Sequence, residues 1–420
     1  MPEDLKILFL NHSDTNGGAA KAAYRLFCGL RDKGLRVQML VREKHSNDPD
    51  VFCCFDYNRT GWLGKMDRFI WKIKNRIQKE KWKKYPDREA AFLNDLNNIS
   101  LQRALRQLDF DILHLHFVAN RFLNLKELPK IGKPVVWTLH DCWPFTAICH
   151  YFDTCNRYQQ QCGKCPMLHS TEEYDFTHTI WVQKKKIYGH LRMHIVPPSR
   201  WMGSCAEKSS LLSTFPVSVI PNCIDTDRYH PQNKEKIRIE LGLNPSKTYI
   251  LFGAYNAIED IRKGYHLLLE ALSLIHNNHT IDFELIIFGA EQLNQNDIPF
   301  QIHNFGVVNN ESQLIRLYQA ADAMVVPSLS ENLSNTILES MACGTPVAAF
   351  NIGGNGDMIG HMENGYLATP FSTTDLADGI CWCIENEKKI TEMVRHKAEK
   401  HFSIERITQN YLQIYQTIAT

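Results

Sequence analysis

Short apolar runs recur along the chain, each bounded by glycine, proline or polar turn residues and followed by a stretch with helical periodicity. In the first half the runs span residues 6–10, 35–41, 111–118, 134–139, 194–198 and 215–220. Between them, residues 19–31 place Ala23, Leu26, Phe27 and Leu30 on one helical side, and residues 101–108, 176–190 and 199–212 repeat the pattern. The second half has runs at 248–253, 283–288, 303–308, 323–326, 347–350 and 365–367. Helices are predicted over 235–241, 265–275, 312–321, 374–383, 388–401 and 402–418. Strand alternating with helix predicts parallel sheets covered on both faces, and the length suits two such domains of about 200 residues each.

The densest chemistry lies in one strand–loop–helix–strand step. The run Ala323–Val326 ends at Pro327; the loop carries Glu331; Ser334 is placed to cap a helix through Ile337, Leu338 and Met341; and Gly344 and Pro346 stop it before a second strand. Glu331 stands outside the carboxyl end of a strand, where open α/β sheets hold their ligands. Glu339 lies a little over one turn inside the helix, and the amides around Leu333 and Ser334 form a helix N-terminus suited to phosphate. Two surface acids favoured by a helix dipole would produce the same pattern.

That stretch resembles the Glu-x7-Glu motif of retaining nucleotide-sugar glycosyltransferases of family 4, followed here by Ala342-Cys-Gly-Thr-Pro-Val347. The resemblance implies the GT-B fold: two facing Rossmann-like domains, an interdomain cleft and a last helix crossing back to the first domain. It places Glu331 on sugar hydroxyls and Glu339 on the nucleotide ribose. The implied domains are residues 1–221 on the acceptor side, 222–401 on the donor side and 402–420 as the returning helix. The turn Pro221-Asn-Cys-Ile-Asp225 resembles the family's interdomain linker.

Other positions gain meaning from the same resemblance. Gly17 and Gly18 follow the first strand, where the family sets a Gly-Gly loop under the donor pyrophosphate; on its own the pair is a turn that needs positive φ. His140, directly after the run 134–139, matches an active-site histidine near the sugar's C6 hydroxyl. His116 ends the previous strand, and His114 is assigned to the core. Arg262-Lys263-Gly264 offers a bidentate and a point charge to a diphosphate leaving group. The family's Gly-Arg appears here as Gly253-Ala254, which leaves two readings: Arg262 supplies the second charge, the one preferred, or phosphate binding and activity are altered. Sugar transfer with retained anomeric configuration, from a nucleotide diphosphate sugar to an acceptor hydroxyl, would be catalysed by Glu331, His140 and Lys263. The donor would be bound by Gly17, Gly18, Arg262, Lys263, Leu333, Ser334 and Glu339. No Asp-x-Asp stands beside the donor strand, so no catalytic metal is expected. A sugar-nucleotide epimerase or hydrolase on the same fold, and a degenerate scaffold subunit, are the alternatives.

Two insertions stand apart. From Trp62 to Tyr85 nine Lys or Arg accompany Phe69, Ile70, Ile73 and Ile77 at helical spacing. Such a helix suits either an anionic membrane surface or docking on its own domain with solvated lysines outside. Residues 149–165 carry Cys149, Cys155, Cys162 and Cys165, a spacing that favours a structural zinc, with unligated thiols and a disulfide or redox pair as the alternatives. Apolar residues make up 44% and charged residues 22%, the balance of a soluble globular protein. A net charge of +1 argues against nucleic acid as partner. Thirteen scattered cysteines, no signal-peptide pattern and no long apolar run point to the cytoplasm, with peripheral attachment to a membrane. A lipid-linked oligosaccharide of surface polysaccharide assembly is the expected acceptor.

Overall fold

The computed structural model describes residues 5–57, 62, 66, 69, 72–73, 76–77, 80–88, 99–254, 256–278, 281–292 and 298–419. Ile70 and Trp71 of the basic insertion lie outside the described residues. The chain divides into two compact units, one of residues 1–220 with 408–420 and the other of residues 221–407.

In the first unit a six-stranded parallel sheet has the order β3-β2-β1-β4-β5-β6, with β1 Lys6–Ser13, β2 Arg36–Glu43, β3 Val51–Cys53, β4 Ile112–Leu115, β5 Val135–Thr138 and β6 Met193–Val196. Helices α1 Gly18–Asp32, α2 Gln102–Gln107, α3 Phe176–Tyr188 and α4 Arg200–Lys208 accompany it. β4 and β5 are buried along their whole length, as expected of strands covered on both faces. Ala23, Leu26, Phe27 and Leu30 of α1 are buried, so its predicted apolar side is the one that packs.

The run at 215–220 forms no strand. Pro216 lacks an N–H for a ladder; its carbonyl and the Ser218 amide pair with Ile195 and the Ile220 amide donates to the Pro197 carbonyl, leaving a single bridge at the edge of β6. β1 is longer than its apolar run, because buried Asn11 carries it onward: its Oδ1 accepts from the Phe117 amide and its Nδ2 donates to the Ser13 carbonyl.

The second unit repeats this wiring. Its sheet reads β12-β11-β10-β7-β8-β9, with β7 Thr248–Gly253, β8 Phe283–Phe288, β9 Ile302–Asn304, β10 Ala323–Val326, β11 Val347–Phe350 and β12 Gly365–Ala368. Counted from its own first strand, the order is again 3-2-1-4-5-6. Tyr249 and Leu251 pack on one face of β7 while Ile250 and Phe252 pack on the other. Helices α5 Lys234–Glu240, α6 Tyr265–Asn277, α7 Glu311–Ala320 and α8 Asn335–Ala342 connect or flank the strands.

The two helices expected over 374–401 are one, α9 Thr373–Phe402, since Ile384-Glu-Asn-Glu387 holds neither glycine nor proline to stop it. The final helix, α10 Ile404–Ala419, begins in the second unit and belongs from Thr408 onward to the first. There Tyr411 hydrogen-bonds Thr138 (2.8 Å) and Tyr415 hydrogen-bonds His114 (2.7 Å), all buried. Among the described residues no helix is long and apolar enough to cross a membrane.

Candidate active site

Each sheet reverses direction once, between β1 and β4 in the first unit and between β7 and β10 in the second. Ligands of doubly wound folds sit outside the carboxyl ends of the strands at such switch points. Gly17 follows β1, His116 follows β4 and His140 lies two residues beyond the neighbouring β5. Lys263 follows β7 and Glu331 follows β10.

In the second unit the geometry is tight. Asp260 caps a short 3-10 turn, Ile261–Lys263, by accepting from the Arg262 amide. The turn is pressed against the end of β10: the Leu329 amide donates to the Arg262 carbonyl (2.7 Å), and a Cβ on Gly264 would stand 1.8 Å from the Pro327 carbonyl oxygen. With φ at +72° as well, only glycine suits that position. This close approach brings Lys263 Nζ to 3.1 Å from Glu331 Oε2, with side chains 25% and 13% exposed. Arg262 turns instead to Asp260, donating from Nε (2.9 Å) and from an Nη. The expected second cation is therefore already gripped by a carboxylate two residues away.

Leu333 and Ser334 are buried at the start of α8, with Ser334 at the N-cap. Its hydroxyl meets that of Thr336 rather than a backbone amide. Glu339 is only 3% exposed, and its Oε2 accepts from the buried Tyr318 hydroxyl at 2.8 Å. Neither Tyr318 nor Asp260 stood out in the sequence. An Asp two residues before an Arg at a turn is a readable signal, whereas Tyr318 reaches Glu339 from a separate helix.

In the first unit Gly17 is the N-cap of α1 with φ at +94°; a side chain would find open space there but a strained backbone. Gly18 is the first residue of that helix. His116 Nδ1 lies 3.0 Å from His140 Nε2, and the two rings stack with centroids 5.3 Å apart. His114 is held by Thr138 and Tyr415, in keeping with a core role. Burial pushes His140 down to about 4 and holds His114 and His116 well below the usual imidazole range, so all three are neutral near pH 7.

Beside this edge, Asp141 pairs with His150, and buried Lys184 donates to the carbonyls of Trp143 and Thr146. Burial lowers Lys184 to about 7. Cys149, Cys155, Cys162 and Cys165 all line one cavity of about 20 Å³. The Cys149 and Cys165 thiols act on each other, raising the first and lowering the second, and the nearby Cys162 and Cys155 raise Cys149 further. Among the described residues no three His, Cys, Asp or Glu side chains form a group able to hold a metal ion. The arrangement is a thiol pair with two further thiols around the same cavity.

Two parallel six-stranded sheets of identical order, each with a switch point where charged and glycine-bearing loops meet, define the GT-B class. One solved structure with this fold, Alr3699/HepE of Anabaena in complex with UDP, aligns with 98% of this chain and 100% of its own at a TM-score of 0.63 and 17% identity. The Glycosyltransferase Family 4 model matches residues 16–228, and the Glycosyl transferases group 1 model matches residues 233–401. The chain belongs to glycosyltransferase family 4. It is 26% identical over 218 residues to spore coat protein SA of Bacillus subtilis, covering 46% of this chain and 56% of that protein. A D-inositol 3-phosphate glycosyltransferase of Rhodococcus erythropolis is 25% identical over 218 residues, 48% of this chain and 49% of its own. The chain thus spans about half the length of these curated relatives.

Proposed function

We propose that this protein transfers a hexose-type sugar from a nucleotide diphosphate donor to an acceptor hydroxyl with retention of configuration. The observation that carries the reading is the Lys263–Glu331 contact at the switch point of the second sheet, with a buried acid, Glu339, on the helix that follows. Lys263 meets the diphosphate and stabilises charge that develops as the glycosidic bond breaks. Glu331 orients sugar hydroxyls, Glu339 takes the ribose, and His140 hydrogen-bonds the sugar as a neutral imidazole. Gly17 and Gly18 let the pyrophosphate approach the backbone at the head of α1, and the amides of Leu333 and Ser334 serve α8 in the same way. UDP in the Anabaena structure supports a uridine nucleotide as the first donor to test. The reaction needs no catalytic metal in this scheme.

A lipid-linked oligosaccharide is the proposed acceptor, presented at an anionic membrane surface. Trp62, Met66, Phe69, Ile73 and Ile77 are all exposed and recur at helical spacing among lysines and arginines, which suits a helix lying in the lipid headgroup region. The test is a panel of nucleotide sugars with extracted lipid-linked acceptors and mass detection of the product. Transfer that survives a chelator and is lost in Glu331→Ala supports the proposal. Donor turnover without acceptor would favour an epimerase or hydrolase. Because Arg262 is engaged by Asp260, a scaffold role is the other reading, and nucleotide binding without any turnover would establish it.

A further inference from the structure

We propose that His116 is the positioning residue that sets the tautomer of His140. This rests on the reading of His140 as a sugar-contacting group. His116 is 2% exposed and its ring is fixed between Phe9, whose centroid is 4.7 Å away, and His114 at 4.1 Å. One ring nitrogen, Nδ1, meets His140 Nε2 at 3.0 Å; the other, Nε2, is buried with no hydrogen-bond partner.

Both imidazoles are neutral, so only one nitrogen of each carries a proton, and one proton lies between them. Two arrangements satisfy that count. If His140 donated, His116 would have to keep its proton on Nε2, leaving a buried N–H without an acceptor. Orphaned buried N–H groups are rare because they give up a hydrogen bond to water for nothing. If His116 donates from Nδ1, its Nε2 is a bare lone pair, and His140 carries its proton on Nδ1. The second arrangement is the one the packing selects. His116 thereby makes His140 a hydrogen-bond donor through Nδ1, the polarity needed to hold a hydroxyl oxygen of the sugar. His114 takes no part in this choice, because both its nitrogens are committed, one to Thr138 and one to Tyr415.

The experiment is nitrogen NMR of the full chain labelled at histidine, with the His140 signals assigned by loss in His140→Gln. The wild-type protein is expected to show His140 protonated at Nδ1; protonation at Nε2 overturns the proposal without need of any variant. In His116→Asn the amide nitrogen takes the place of Nδ1 and still donates, so the tautomer is kept and kcat stays within about 5-fold. In His116→Phe the donor is lost, the proton redistributes to Nε2, and kcat falls about 10- to 100-fold, the range of one lost charge-free positioning bond and its misoriented partner. An unchanged tautomer in His116→Phe overturns the proposal. The NMR reading needs no turnover, so an Nδ1-protonated His140 in a protein that transfers no sugar would sustain the positioning role and refute the transferase reading alone.

Discussion

The Lys263–Glu331 pair makes a counter-intuitive prediction: removing the carboxylate tightens binding of the bare nucleotide diphosphate. At 3.1 Å the attraction of a unit charge pair is about 1–5 kcal/mol for effective dielectric constants of about 80 down to 20. Both side chains are partly desolvated, so the net coupling falls near 1–2 kcal/mol after the cost of burying the charges. A diphosphate must draw Lys263 away from Glu331 and tolerate the negative charge left behind. Glu331→Gln relieves both costs, and UDP affinity is expected to rise about 5- to 30-fold, since 1.4 kcal/mol is tenfold. Transfer should fall about 10- to 100-fold in the same variant, because the charged acceptor for sugar hydroxyls is gone.

Isothermal titration at fixed ionic strength measures the first effect, and a double-mutant cycle with Lys263→Ala isolates it. On the Lys263→Ala background the gain should shrink to the small residue of general charge repulsion. Unchanged or weaker UDP binding in Glu331→Gln, or an equal gain without Lys263, would refute the reasoning.

Tyr318→Phe removes the hydroxyl that donates to buried Glu339, and is expected to cost about 1–3 kcal/mol in denaturant unfolding. It should also weaken nucleotide binding, while a loss of stability with no change in nucleotide affinity would separate Glu339 from the ribose. His114, His116 and His140 titrate below their unfolded value of 6.5, so the unfolded chain gains protons first on acidification. Thermal stability should therefore decline as pH falls from about 6.5 toward 4, and His114→Gln should flatten part of that slope in melting scans. The four cysteines around one cavity predict one zinc ion per chain by mass spectrometry and a lower melting temperature on chelation, whereas an ion-free chain indifferent to chelator would leave only the Cys149–Cys165 thiol pair. One tightly held ion would mean that Cys155 and Cys162 close onto Cys149 and Cys165.

Local pattern was enough to delimit Thr248–Gly253, Phe283–Phe288, Ala323–Val326 and Val347–Phe350, because each apolar run is stopped at both ends by turn chemistry. It failed where a strand continues on polar residues, as at Asn11, and where β-rich composition at 215–220 found only the edge of β6. In the site, Glu331 and Lys263 were legible as a motif, but their contact was not, since it depends on Gly264 letting one loop approach the Pro327 carbonyl. The grip of Tyr318 on Glu339 and of Asp260 on Arg262 likewise arises from side-chain directions that spacing does not encode.

The handover of α10 from one unit to the other imposes an order on synthesis. Tyr415 reaches His114 across 301 positions, so the first unit stays unfinished until the chain has been made through residue 415. A premature stop that deletes this helix would thus injure the unit made first, exposing Thr138 and His114 to water while the second unit keeps its sheet.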